Sequence, residues 1–275
     1  MRVAYRQYHG TGNTFAVVEA KDLQTGRSAF AMKACDRLGI DGVLVLDIEE
    51  SIDPIGVDFK LFQPDGGTAE MCGNGARVAA LWAQERTEAT EFTLDTPAGP
   101  RRTTLKDDGN VTVEMGEPTF EPASVPLVGE EPMIEEPFEG LTITAVNTGV
   151  PHAVAFLHDV EELALEAAAQ PIRYADRFPA GTNVTVAEYI EEGQFRQRTY
   201  ERGVEGETQS CGTGAVAIVA TAVELGLAEA GETVQVDPPG GTLRVTLPEN
   251  GPATLAGPAV FEEEGELDVD GGDTE

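Results

Sequence analysis

Length, composition and charge limit what this chain can be. Its 275 residues, 41% of them hydrophobic, suffice for one large domain or two of ordinary size with a buried core. The 18 basic and 49 acidic residues give a formal net charge of -31, which would repel nucleic acid and anionic membranes. Residues 1–10 lack the apolar stretch of a signal peptide, and no apolar run approaches the roughly 18 residues of a membrane span. We therefore expect a soluble, cytoplasmic protein without a nucleic-acid or membrane partner.

The charge pattern also indicates the solvent in which the protein works. Only four lysines accompany the large excess of acidic residues. High salt screens the self-repulsion that would destabilise a compact anionic chain, so the composition predicts a halophilic protein. Residues 262–275 include eight acidic residues and have no periodic apolar pattern, which predicts a disordered acidic tail.

The three cysteines, Cys35, Cys72 and Cys211, lie far apart in the sequence. Their number is odd and they show no CxxC spacing, so neither a disulfide scaffold nor a structural zinc site is indicated. Cys35 falls near the end of a predicted helix and is expected to be a core residue. Cys72 and Cys211 are each followed by a glycine-rich helix start.

Apolar periodicity and turn residues predict short strands alternating with helices. The predicted order is two strands within residues 1–20, a helix over 28–38, strands over 43–47 and 57–62, and a helix from Cys72 to about Glu85.

The chain contains an internal repeat. Cys72-Gly-Asn-Gly-Ala matches Cys211-Gly-Thr-Gly-Ala at an offset of 139 residues. Residues 12–18 match 149–155 at an offset of 137, and residues 93–97 match 235–239 at 142. Gly116-Glu-Pro matches Gly257-Pro at 141. Four matches in one order at nearly one offset indicate a duplicated half.

Each half contains strands and one helix that is apolar nearly all round, and such a helix should be buried. The predicted class is α+β, with two pseudo-symmetric domains, each a mixed β-sheet or barrel wrapped around a central α-helix. The predicted domains are residues 1–118, joined by a strand near 257–262, and residues 119–256.

A cysteine just before a helix lies beside unpaired N–H groups and the positive end of the helix dipole. Both favour a thiolate, so Cys72 and Cys211 are expected to have low pKa values and to act as bases or nucleophiles. The N–H groups of the following residues can bind a carboxylate; these residues are Gly73, Asn74, Gly212 and Thr213.

Two acid–base groups on opposite sides of one carbon can remove a proton from one face and return a proton to the other. Two duplicated halves would place Cys72 and Cys211 on either side of one substrate. The helix N–H groups would stabilise the carboxylate of the carbanion without a metal or cofactor. The predicted reaction is stereochemical inversion. The alternative is a thiol redox or binding protein in which the two cysteines form a reversible disulfide.

Three motifs are similar to those of the diaminopimelate epimerase family: residues 9–15 (HGTGNTF), 71–77 (MCGNGAR) and 200–215 (YERGVEGETQSCGTGA). The resemblance extends from about Val3 to Val260. It implies a cofactor-independent isomerase of lysine biosynthesis that converts LL-2,6-diaminopimelate to its meso form, with Cys72 and Cys211 as the acid–base pair. It also implies the two-domain fold described above.

The resemblance implies roles for further residues. Glu201 matches a glutamate that holds substrate and lies near a catalytic cysteine, and His152 matches a histidine that assists the other cysteine. A guanidinium fork suits the second carboxylate of diaminopimelate, which assigns Arg202 to it. The full set of implied substrate-binding residues is Asn13, Gln63, Gly73, Asn74, Asn183, Glu201, Arg202, Gly212 and Thr213.

Some positions depart from the family pattern. Gln63 and Val150 stand where asparagine is usual, and Gly42 occupies a common glutamine position. The aromatic residue that the family uses for dimerisation has no clear counterpart here, because Phe261 is followed directly by acidic residues. Whether the protein is a homodimer is therefore an open question.

Two rival readings share the fold. Proline or hydroxyproline racemases need no group for a second amino-acid end, so the Glu201-Arg202 segment argues against them. Phenazine-biosynthesis-like isomerases do not show a cysteine at both turns.

Overall fold

The structure, a computed structural model, describes residues 2–268 and confirms the α+β class. Within that range the chain divides into two compact units. The first comprises residues 2–113 and 257–268, and the second is Glu114–Ala256. The first segment of unit one thus ends at residue 113, five residues before the predicted domain boundary at residue 118. No helix among the described residues is long and apolar enough to cross a membrane.

The first unit contains helices α1 (Arg27–Leu38) and α2 (Gly73–Thr87), and a turn of 3-10 helix at Ala20–Asp22. Its strands are β1 (Arg2–Gly10), β2 (Asn13–Glu19), β3 (Gly42–Glu49), β4 (Ile55–Phe62), β5 (Thr68–Ala69), β6 (Glu91–Thr96), β7 (Gly99–Leu105) and β8 (Asn110–Gly116), the last of which runs into the second unit.

The second unit contains helices α3 (Leu165–Arg173) and α4 (Gly212–Glu224). Its strands are β9 (Glu136–Phe138), β10 (Leu141–Asn147), β11 (Pro151–Leu157), β12 (Asn183–Glu191), β13 (Gln194–Glu201), β14 (Gly206–Glu207), β15 (Thr233–Asp237), β16 (Leu243–Thr246) and β17 (Ala253–Pro258). β17 leads back into the first unit, which ends with β18 (Val260–Asp268).

The two units have the same strand topology, as the sequence repeat predicts. In the first, β2 pairs in parallel with β3 and β4 in parallel with β6, and antiparallel pairs join β1 to β2, β3 to β4 and β6 to β7. In the second, β11 pairs in parallel with β12 and β13 in parallel with β15. Antiparallel pairs join β10 to β11, β12 to β13 and β15 to β16. A helix connects the first parallel pair of each unit, and α2 or α4 connects the second.

The helices α2 and α4 are the central helices of the two units. Buried residues lie on all sides of both, as expected for a helix without a polar face. Many of them are small, including Ala76, Ala79, Ala80 and Ala83 in α2, and Ala215, Ala217, Ala220 and Ala222 in α4. Small side chains allow the surrounding strands to approach the helix closely.

The helices α1 and α3 each pack within a separate apolar cluster of their own unit. Phe30, Ala34 and Cys35 of α1 lie in one cluster, so the core position predicted for Cys35 is confirmed. Leu165, Ala169 and Ile172 of α3 lie in the other. The sequence does not predict α3, because this helix is only nine residues long and contains Pro171, a residue that usually ends a helix.

The prediction of a disordered tail from residue 262 is wrong for residues 262–268. These residues belong to β18, which pairs antiparallel with β1 along most of its length. Backbone pairing to β1 and burial of Leu267 offset the cost of ordering this acidic segment. Residues 269–275 of the predicted tail lie outside the described residues.

Candidate active site

Cys72 forms the N-cap of α2. Its backbone is extended, with φ -144° and ψ 119°, and the next residue begins the helix. The Gly75 amide donates to Cys72 Sγ at 3.4 Å, so the sulfur takes the place that a serine or aspartate oxygen usually occupies in a helix cap. The half-buried thiol thus lies beside the positive end of the helix, as the sequence predicts.

Behind Cys72, a buried arginine fixes the orientation of two asparagine amides. Arg77 is fully buried, and its Nη2 donates to Asn74 Oδ1 at 2.9 Å and to Thr11 Oγ1 at 2.5 Å. Because a guanidinium can only donate, Asn74 must turn its oxygen toward Arg77 and its Nδ2 toward Asn13 Oδ1. Asn13 therefore keeps its own Nδ2 for other acceptors.

The charge of Arg77 also acts on Cys72. Burial lowers the pKa of Arg77 to about 10, and the charge of Cys72 acts in the opposite direction. By the same interaction the guanidinium favours the thiolate of Cys72. The hydrogen bonds of Arg77 within the described residues go to neutral groups, which also include the Pro258 carbonyl at 3.2 Å.

Two other positions that the sequence singles out in this unit lie at the end of β4 and at the start of β3. Gln63 lies in the turn after β4, where its backbone N–H donates to the Gly67 carbonyl at 2.8 Å, and no hydrogen bond described for it reaches Cys72. Gly42, at a common glutamine position of the family, lies in β3, and a Cβ there would meet Leu61 Cδ1 at 2.9 Å. The close packing explains why this position has no side chain.

Cys211 holds the equivalent N-cap position of α4, but its side chain does not make the cap hydrogen bond that Cys72 makes. Its backbone is extended, with φ -120° and ψ 103°, and Gly212 begins the helix. Its carbonyl accepts from the Ala215 amide and from Gln197 Nε2, both at 3.0 Å. Thr213 Oγ1 lies 3.4 Å from Cys211 Sγ.

The predicted low pKa of Cys211 is not what the structure shows. Burial, and next the negative charge of Glu201, raise the pKa of this thiol well above its ordinary value, while Thr213 and the Gly214 amide act in the opposite direction. Glu201 also accepts a hydrogen bond from the thiol. The helix end alone lowers the pKa of a thiol, but the loss of solvent around Cys211 outweighs that effect.

His152 is a buried, neutral histidine in the same unit. Its Nδ1 lies 2.9 Å from Thr185 Oγ1 and its Nε2 lies 3.0 Å from Thr213 Oγ1. Burial, and next the charge of Arg202, lower the pKa of His152 to about 3. Through Thr213, the imidazole is one side chain away from Cys211.

Asn183, the first residue of β12, contacts Arg202, which follows the last residue of β13. The Arg202 amide donates to Asn183 Oδ1 at 2.8 Å, and Arg202 Nη1 donates to the Ala180 carbonyl at 2.9 Å. The neighbouring Glu201 accepts a hydrogen bond from Thr208. The second unit therefore brings Cys211, Thr213, His152, Asn183, Glu201 and Arg202 into one cluster, and the first unit brings Cys72, Gly73, Asn74 and Asn13 into another.

Sequence reasoning missed several buried polar residues that hold these clusters. They are Thr11, Arg77, Thr185, Gln197 and Thr199. The only sequence signal was a polar residue in an otherwise apolar stretch, such as Arg77 four residues into a helix that is apolar nearly all round.

Solved structures of other proteins share this fold. A phenazine biosynthesis protein of the PhzF family from Bacillus anthracis has a TM-score of 0.69 at 16% identity, over 97% of this chain and 99% of that one. A probable proline racemase from Agrobacterium radiobacter K84 has a TM-score of 0.68 at 18% identity, over 98% and 93%. The chain therefore belongs to the class of two-unit α+β folds that these two proteins share.

Sequence comparison narrows this class to one family. The family model for diaminopimelate epimerase matches residues 5–121 and 144–262. Relatives named diaminopimelate epimerase include those of Methanocella arvoryzae, 39% identical over 98% of both chains, and Methanothrix thermoacetophila, 40% identical over 94% of both. The chain belongs to the diaminopimelate epimerase family, a family of isomerases, as the three motifs predict.

Proposed function

We propose that this chain interconverts LL- and meso-diaminopimelate in the pathway to lysine, by exchanging a proton on one α-carbon. One observation supports this above all. Each unit places a cysteine at the N-cap of its buried central helix, at equivalent positions of the same topology. Relatives at 39% and 40% identity are named for this reaction.

Cys72 and Cys211 are the two acid–base groups. Cys211 begins as a thiol, because burial and Glu201 raise its pKa, whereas the charge of Arg77 favours Cys72 as a thiolate. The Cys72 sulfur takes the α-proton as the C–H bond breaks. The S–H bond of Cys211 then breaks, and its proton joins the carbon on the other face. The reverse reaction exchanges the two roles.

The remaining residues bind the two ends of the substrate. N–H groups at the helix starts, with Asn13 Nδ2, stabilise the carboxylate next to the reacting carbon. Arg202 pairs with the distant carboxylate, and oxygen atoms of side chains accept from the distant ammonium. The proposed residues are Gly73, Asn74, Gly212 and Thr213 for the helix starts, and Gln63, Asn183 and Glu201 for the distant end. His152 assists one of the two cysteines.

Isotope exchange tests this reaction. LL-diaminopimelate in deuterated water should gain deuterium at one α-carbon and yield the meso form, and proline in a parallel sample should not exchange. Exchange of proline alone would instead support the racemase alternative. A reducing agent in all samples prevents a disulfide from mimicking loss of activity.

Cysteine variants test the mechanism. Cys72→Ala and Cys211→Ala should each abolish formation of the meso form, because inversion needs both an acid and a base. Cys35→Ser is the matched control and should retain activity, since Cys35 lies in a separate apolar cluster and burial raises its pKa to about 11. Rapid inversion by either alanine variant would contradict the two-base mechanism.

We also propose the environment in which the enzyme works and its oligomeric state. The excess of acidic residues indicates an enzyme that works in the cytoplasm of a halophile.

A homodimer is proposed through β18, where Val260 and Phe261 are partly exposed and Arg6 lies 4.3 Å from the centre of the Phe261 ring. Sedimentation equilibrium of the wild type and of Phe261→Glu would test this interface, and a monomeric wild type would exclude it.

A further inference from the structure

A buried row of polar side chains connects the middle of β13 to the start of α4. Gln197 Nε2 lies 3.0 Å from Thr199 Oγ1, which lies 3.2 Å from Thr185 Oγ1. Thr185 Oγ1 in turn lies 2.9 Å from His152 Nδ1. All four side chains are at most 2% exposed, so bulk water does not reach them and each donor needs a buried acceptor.

The direction of this row is fixed at Gln197. The carbonyl of Cys211 lies 3.0 Å from the amide end of this side chain and can only accept. That end must therefore be the NH₂ group, because an oxygen there would face another oxygen. The second N–H of the same group points to Thr199 Oγ1, so Thr199 accepts from Gln197.

The hydroxyl protons then follow in one direction. With Gln197 donating to it, Thr199 satisfies its own O–H by donating to Thr185, and Thr185 satisfies its O–H by donating to His152 Nδ1. In a neutral imidazole, an acceptor at Nδ1 places the proton on Nε2. The neutral state agrees with complete burial and a pKa of about 3.

One contact favours the other tautomer, but it is weaker. Asn183 Nδ2 lies 3.5 Å from His152 Nε2, at the limit of a hydrogen bond, and donates to the Pro151 carbonyl at 3.0 Å. A proton on Nδ1 would also force Thr185 to donate to Thr199. The buried O–H of Thr199 would then lack an acceptor among the side-chain contacts of the described residues, which is costly.

We propose that Gln197, Thr199 and Thr185 are positioning residues that hold His152 as its Nε2–H tautomer. The imidazole then donates to Thr213 Oγ1, which frees the Thr213 O–H to donate to Cys211 Sγ. The row ends where the thiol donates to Glu201. The role of this row in catalysis rests on the proposed function. When Cys211 releases its proton, the Thr213 O–H still donates to Sγ and stabilises the thiolate.

Nitrogen NMR of the substrate-free protein tests the tautomer directly. The chain has three histidines, so ¹⁵N-histidine labelling gives three ring systems, and His152→Gln assigns one of them. The expected spectrum shows a protonated Nε2 and an unprotonated Nδ1 for His152. A protonated Nδ1 would overturn the proposal, and because no substrate is present this result is independent of the reaction with diaminopimelate.

Variants of Thr185 test whether the buried row of polar side chains sets the tautomer of His152. Thr185→Val removes the O–H that donates to Nδ1, and we expect a mixture of tautomers and a roughly tenfold lower kcat with little change in KM. Thr185→Ser keeps the hydroxyl and should keep both the wild-type tautomer and rate. An unchanged tautomer in folded Thr185→Val would overturn the role of the row, and if that variant does not fold, Gln197→Leu gives the same test.

Discussion

The third residue of each cysteine-capped helix is a glycine, but the two glycines have different surroundings. A Cβ at Gly75 would meet Phe59 Cζ at 3.4 Å, an ordinary contact. A Cβ at Gly214 would meet Gln197 Nε2 at 2.6 Å and Thr199 Oγ1 at 3.1 Å. The polar row in the second unit therefore depends on a position without a side chain, and the equivalent position in the first unit does not.

We expect Gly214→Ala to lower the free energy of unfolding by about 1–3 kcal/mol, the usual cost of overpacking a core. The new methyl group would also push Gln197 away from Cys211, so activity should fall. Gly75→Ala is the matched control. It should be neutral or stabilising, since alanine is the better helix residue by roughly 0.5–1 kcal/mol. Urea denaturation checks both, and equal effects would contradict the difference in packing.

His152 leads to a second prediction for a single residue, on how the free energy of unfolding depends on pH. The unfolded chain protonates His152 near pH 6.5, whereas the folded protein, with a pKa of about 3, does so only far below. Between these values the unfolded state binds more protons, so the free energy of unfolding falls as the pH falls. His152→Gln should flatten the slope between pH 6.5 and 5.

The control for this slope is His158→Gln, at an exposed position, which should leave it unchanged. Equal slopes in the wild type and in His152→Gln would show that His152 titrates in the folded protein as it does in the unfolded chain, which would contradict its burial in the neutral form.

Among the elements, β18 shows how pairing can order an acidic segment. Five of its nine residues are acidic, yet it pairs with β1 and its Leu267 is 6% exposed within an apolar cluster. The cluster also contains Val3 and Tyr5 from β1. Leu267 thus joins the last strand of the first unit to its first strand.

Leu267→Ala should therefore lower the free energy of unfolding by about 2–5 kcal/mol, the usual cost of truncating a buried leucine. Its neighbour gives the control, because the Glu266 side chain is 59% exposed and Glu266→Ala should change stability little. If denaturant unfolding shows the same free energy of unfolding for Leu267→Ala as for the wild type, the result would support the disordered tail that the sequence predicts.

For the whole molecule, the net charge of -31 is the dominant electrostatic feature. Ion pairs such as Arg198 with Glu207 at 2.7 Å engage some of the acidic residues, but 18 basic residues cannot pair with 49 acidic ones. The excess must be screened by salt or tolerated as self-repulsion.

We expect the melting temperature to rise steeply with KCl concentration, toward molar salt, because screening removes this repulsion. Sucrose at equal osmolality is the control, since it stabilises proteins by exclusion from their surface without screening charge. Full stability in dilute buffer, or equal effects of KCl and sucrose, would argue against the halophilic interpretation.

The sequence by itself determined the two repeated units, their central helices and the place of both cysteines. These features depend on local patterns: a helix without a polar face, a cap followed by glycines, and a duplicated motif. The family also followed from three short motifs. The short helix α3 and strand β18 did not follow, because tertiary packing and pairing overrode a proline in one and a run of acids in the other.

Only the tertiary structure decided the chemistry around the cysteines. Local sequence places Cys211 at a helix end, which lowers a pKa, but burial beside Glu201 reverses the direction. Likewise, the contacts of Arg77 with Thr11 and of His152 with Thr185 join residues 66 and 33 positions apart. The physical reason is that desolvation and hydrogen-bond direction depend on neighbours that are distant in sequence.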